Sequence, residues 1–96
     1  MMEVKNILIE NFIKNRENYY LIDVRVPEQY LEKHIEGAVN IPFSIIRASV
    51  NSIPRDRKIL TYCNGGTSGG IASLILRELG LETYNLEGGF NSYKNR

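Results

Sequence analysis

The chain has 96 residues, 43% of them hydrophobic, and 12 Lys and Arg against 11 Asp and Glu give a net charge of +1. That length suits one small domain (residues 1–96) with an ordinary globular core. The balanced charge offers no electrostatic basis for binding nucleic acid or an anionic membrane.

The opening stretch, MMEVKNILIENF, is broken by acidic residues and asparagines where a signal peptide needs an apolar run. No window nears the ~18 consecutive apolar residues of a membrane span. A soluble, cytoplasmic protein is the expectation. Glu3–Lys5 is a candidate short strand. Ile9, Phe12 and Ile13 have helical spacing, with Asn6 as candidate N-cap and an end near Arg16. Tyr19–Val24 is a continuous apolar run ending in an aspartate, as expected of a strand buried on both faces. Pro27 suits the first position of a short helix, PEQYLEKH, which Gly37 ends. Ala38–Ile41 predicts a brief strand, and Ser44 a cap for a helix through about Val50. Asn51–Arg57 reads as a polar turn around Pro54.

Lys58–Tyr62 is the next strand and delivers Cys63 at its carboxyl end. Ala72, Ile75, Leu76 and Leu79 form the stripe of an amphipathic helix, widened by Ile71 and Leu74, and Gly80 is placed to stop it. Glu82–Leu86 predicts a last strand, Gly88–Gly89 a turn, and the remaining residues a short helix at most. Alternating strands and helices predict an α/β fold with a parallel sheet.

Cys63 is the only cysteine, so it cannot form an internal disulfide, and zinc patterns require several ligands. No metal and no cofactor is expected. In an open parallel sheet, ligands bind beyond the carboxyl ends of the strands, where Cys63 lies. The loop that follows it, NGGTSGG, leads into an apolar helix. Unpaired N–H groups at the amino end of that helix favour an anion. So does a nest of amides that glycines allow to curl inward. Both stabilise thiolate, the nucleophilic form of the residue. Free cysteine is also a common core residue, but a core position is normally followed by more strand or helix rather than by glycines. A Walker A loop needs a lysine after its last glycine, and this loop has no basic residue at all, which also argues against phosphoryl transfer.

Three ordered stretches resemble the rhodanese-like (sulfurtransferase) family. LIDVRVPEQYLEKHIEGAVNIPF (Leu21–Phe43) is similar to its first signature and ILTYCNGG (Ile59–Gly66) to its strand and catalytic cysteine. YNLEGGFNSY (Tyr84–Tyr93) is similar to its closing stretch, with Tyr93 where tryptophan is usual. The resemblance implies a three-layer fold, with five parallel strands in spatial order 1-5-4-2-3 and helices on both faces. It implies that Cys63 accepts sulfane sulfur as a persulfide and passes it to a thiol or protein acceptor. Asn64, Gly65, Gly66, Thr67, Ser68 and Gly69 would form the substrate-binding loop.

The departures bear on the donor. Many single-domain members end the loop in arginine where this chain has Ser68, and thiosulfate-selective two-domain members have basic residues where it has Asn64 and Gly65. Gln29 stands where those enzymes place a substrate-binding arginine. Thiosulfate is therefore expected to be a poor donor. The related phosphatase loop would need arginine at Gly69, which makes that activity the least favoured. A non-enzymatic binding or redox-sensing module is the alternative to transfer. Asp23 and Arg25 are candidate supports for the site, or a structural pair tying the strand end to the next helix and the His34–Gly37 turn. Ser68 is a candidate hydroxyl donor or helix cap, and His34 a fastener of its turn.

Overall fold

The computed structural model describes residues 2–96. Five parallel strands form one sheet in the order β1-β5-β4-β2-β3, the order implied by the resemblance. They are β1 (Asn6–Ile7), β2 (Tyr19–Asp23), β3 (Val39–Asn40), β4 (Lys58–Tyr62) and β5 (Thr83–Leu86). Four helices connect and flank them: α1 (Ile9–Lys14), α2 (Pro27–Glu32), α3 (Thr67–Glu78) and α4 (Gly89–Lys94).

The alternation along β4 divides the core. Ile59 and Cys63 face α3, packing with Ile22, Val24, Ile41, Ala72 and Leu76. Leu60 and Tyr62 face the other way, toward Ile9, Phe12, Leu86 and Phe90 of the opposite cluster. Both faces are covered, which is why β2 and β4 read as unbroken apolar runs. At the end of α3, Gly80 takes a left-handed φ of 96°. Its N–H donates to Arg77 and that of Leu81 to Leu76, both at 3.0 Å, closing the helix as a Schellman motif.

Several sequence expectations shift. The first strand is Asn6–Ile7 rather than Glu3–Lys5, although the Lys5 carbonyl already accepts from Asn85 N–H. Asn6 therefore belongs to a strand, and Leu8 is the N-cap of α1, which ends at Lys14 and is followed by a 3-10 turn, Arg16–Asn18. In place of a helix from Ser44 to Val50 there are two 3-10 turns, Phe43–Ile45 and Val50–Ser52. Ser49 Oγ donates to the Ile45 carbonyl and Ser52 Oγ to Ser49, both at 2.8 Å. Such local bonds compete with a regular helix. Ile71 is exposed on α3 rather than part of its buried stripe.

Candidate active site

β4 ends at Tyr62 and α3 begins at Thr67, so the loop Cys63–Gly66 spans the carboxyl edge of the sheet. Cys63 is 8% exposed, so the residue is almost wholly enclosed. Gly66, the N-cap of α3, has a left-handed φ of 113° and donates its N–H to Cys63 Sγ at 3.0 Å. That conformation is why glycine is required at this corner.

The Cys63 and Asn64 carbonyls are drawn toward α4. Cys63 C=O accepts from Phe90 N–H at 2.7 Å and Asn64 C=O from Asn91 N–H at 3.0 Å, so the first turn of α4 holds the loop from behind. Gly66 C=O accepts from Gly70 N–H at 2.9 Å and from Asn85 Nδ2 at 3.4 Å. In a planar trans peptide the N–H points opposite to the C=O. The amides of Asn64, Gly65 and Thr67 are thereby turned away from α4 and β5. Gly89 makes this docking possible, with a φ of 56° and a backbone packed directly on the Cys63 and Asn64 carbonyls.

Asp23 and Arg25 stand beside the loop as a buried pair. Asp23 accepts from Arg25 Nη2 at 2.8 Å, from Nε at 3.1 Å and from the backbone N–H at 2.9 Å. The same guanidinium donates to the Lys33 carbonyl at 2.6 Å, lies 4.3 Å from the Phe90 ring centre, and reaches Asn64 Oδ1 at 3.4 Å. Burial works against its charge, but the hydrogen bond and charge of Asp23 outweigh burial and raise the Arg25 pKa. The pair thus ties β2 to the end of α2 and touches the loop as well. Asn64 Nδ2 donates in turn to Gln29 Oε1 at 3.1 Å.

The other candidates are placed differently. Thr67 and Ser68 are exposed in the first turn of α3, and neither caps it, because the N-cap is Gly66 with no side-chain cap bond. His34 stacks on Tyr30 with ring centres 3.8 Å apart, and its Nδ1 lies 2.8 Å from the Tyr30 carbonyl, so it fastens its own turn. Gly69 has an unexceptional φ but no room: an ideal Cβ would fall 2.5 Å from Asn85 Oδ1 and 3.1 Å from Cys63 N. Sequence reasoning missed Asn64 as a bridge and Asn85 altogether, since their partners are distant along the chain. Among the described residues no group of three or more His, Cys, Asp or Glu could hold a metal ion, and no helix is long and apolar enough to cross a membrane.

The rhodanese-like domain profile matches residues 4–96. The chain belongs to the rhodanese-like family. It is 40% identical over 70 residues to the thiosulfate sulfurtransferase PspE of Escherichia coli, covering 71% of this chain and 67% of that one. It is 37% identical over 91 residues to the protein YqhL of Bacillus subtilis, covering 94% of this chain and 72% of that one. The crystal structure of a rhodanese-related protein from Thermoplasma volcanium superposes with a TM-score of 0.91 at 30% identity, covering 95% of this chain and 91% of that one. The five-stranded parallel sheet and its order thus agree with the family.

Proposed function

We propose that this rhodanese domain is a sulfurtransferase that carries sulfane sulfur on Cys63. The observation that carries the reading is the Gly66 N–H on Sγ at 3.0 Å, in a loop whose Cys63 and Asn64 carbonyls are held by α4. That amide places a hydrogen-bond donor on the reacting sulfur. Sγ attacks the sulfane sulfur of the donor. A new S–S bond forms as the donor's bond to that sulfur breaks, and the electron pair leaves with the donor. A thiol or protein nucleophile then attacks the terminal sulfur, and the pair of the broken S–S bond returns to Sγ. No external oxidant or reductant is consumed. In the intermediate, the amides of Asn64, Gly65 and Thr67 are the natural donors to the outer sulfur.

Thiosulfate is a poor donor in this reading. It is a dianion, and Arg25, the cation that reaches the loop, is already neutralised by Asp23. Asn64, Gly65, Thr67 and Ser68 contribute no charge. Neutral donors, or persulfides on a protein, fit better. The test is intact mass after brief exposure to thiosulfate and to an organic persulfide, with and without reductant. A reductant-labile gain of one sulfur atom, lost in Cys63→Ser, is the expected result. Gain of oxygen without sulfur would replace the proposal with a redox-sensing role.

A further inference from the structure

Asn85 is a polar residue in the interior of a parallel sheet, 3% exposed, paired with Asn6 on one side and Thr61 on the other. A side chain in that place is ordinarily apolar, because burying an amide requires partners for all its polar atoms. Asn85 lacks one: its Oδ1 has no hydrogen-bond partner among the described residues. Its Nδ2 is used twice, donating to Asn6 Oδ1 at 2.9 Å and to Gly66 C=O at 3.4 Å. The orientation of the amide follows from the second contact, since a backbone carbonyl accepts only and must face the NH2 end. The orphaned oxygen is consequently turned toward Gly69, where an ideal Cβ would lie 2.5 Å away.

Neither of the Nδ2 bonds is needed to keep its acceptor satisfied. Asn6 is exposed and open to water, and Gly66 C=O already accepts from Gly70 N–H. An amide that leaves its own oxygen buried without a partner, while serving acceptors already satisfied, is a poor contributor to stability. What it does contribute is direction. It holds Gly66 C=O on the β5 side and, through the planar peptide, aims Thr67 N–H the opposite way. The residue whose carbonyl it holds is the one whose N–H lies on Sγ.

We propose that Asn85 is a positioning residue of the sulfur site, kept in the core to orient the Gly66–Thr67 peptide at some cost in stability. The inference rests on Cys63 being the reacting sulfur. It predicts that stability and reactivity separate. Asn85→Leu keeps the branch at Cγ, removes the orphaned oxygen and creates no buried unsatisfied group. It should melt at or above the parental temperature. Alkylation of Cys63 by iodoacetamide at one fixed pH should slow, and persulfide loading should lose about tenfold in kcat with little change in KM, as when an oriented donor is lost. Asn85→Ala carries the same alkylation readout should leucine prove too bulky beside Gly69 to fold.

Parental alkylation and loading rates in a folded variant would overturn the proposal. So would a fall in rate that merely accompanies a lowered melting temperature and a rising KM, which would assign Asn85 to packing. Alkylation needs no sulfur donor, so it tests Asn85 even if the parent fails to load sulfur. A parent that loads sulfur, beside a leucine variant that does so equally well, would leave the transfer reading standing and remove only this inference.

Discussion

Gly89 lies against Cys63 so closely that a methyl group added to it would overlap the Cys63 carbonyl oxygen and approach the Asn64 carbonyl oxygen to 2.7 Å. The same carbonyls accept the Phe90 and Asn91 amides. One glycine distant along the chain from the cysteine therefore lets α4 fix which way these peptides point.

Gly89→Ala combines a left-handed φ of 56° with a backbone clash, so it should dislodge α4 from the loop. The expected outcome is loss of sulfur transfer and a marked fall in melting temperature. Gly70→Ala should do the reverse. A Cβ at Gly70 would make ordinary contact with Val4 at 3.4 Å, and alanine in a helix is favoured over glycine by about 1 kcal/mol. Thermal melts of the two variants check both expectations. Of the four glycines after Cys63, Gly66 is held by its φ and Gly69 by close approach, while Gly65 and Gly70 are replaceable.

Cys63→Ser should abolish transfer and leave the fold intact. Serine is nearly isosteric, and the loop is held by bonds from Phe90, Asn91 and Gly70 that do not involve the sulfur. Substantial persulfide-dependent turnover by that variant would contradict the mechanism.

Arg25→Ala leaves Asp23, fully buried, without its counter-charge. Breaking a buried pair from one side costs about 3–5 kcal/mol, so urea denaturation should show a loss of that order. Arg25→Lys should recover only part of it, because one ammonium cannot serve Asp23, the Lys33 carbonyl and Asn64 together.

Asn64→Arg with Gly65→Lys should raise thiosulfate turnover more than turnover with a neutral donor, and added salt should shrink the gain. Gly65 does not have a positive φ, and nothing lies within 4 Å of its ideal Cβ, so lysine fits there without strain. Equal turnover of thiosulfate and the best neutral donor by the parent would show that the site already supplies a cation.

Burial pushes the Tyr62 phenol well above the ordinary tyrosine range, against the Ile35 N–H it accepts at 3.0 Å. Above about pH 10 the unfolded chain releases this proton and the folded one keeps it. The stabilising contribution is thus complete below that pH and is lost as pH rises, by about 1.4 kcal/mol per unit. Tyr62→Phe should be less stable at neutral pH, since Ile35 N–H loses its acceptor, yet its stability should fall less steeply between pH 10 and 12. Urea titrations across that range measure the difference.

Much of the architecture was legible because it is written locally. The runs of β2 and β4, Pro27 opening α2 and the glycine stop of α3 each depend on neighbours within a few residues. β1 is two residues long and exists through its pairing with β5, so no local pattern could place it. The helix expected from Ser44 through Val50 gives way to two 3-10 turns, with Ser49 and Ser52 bonded to nearby carbonyls. At the site, Cys63 and its glycines stand out by composition. Asn64 acquires its role from Arg25 and Gln29, and Asn85 from Gly66 and Asn6, partners that only the folded chain brings near.

The clamp of α4 on the loop also sets an order of assembly. β5 and α4 follow Cys63 in the chain, so a growing polypeptide presents its thiol before the donors that shape the loop have been synthesised. Domains take shape as synthesis proceeds, and here the loop geometry waits on β5 and α4. A chain cut after Leu86 would retain Cys63, its glycines and Asn85 while lacking the α4 amides that hold the Cys63 and Asn64 carbonyls, and its alkylation rate would differ from that of the whole chain.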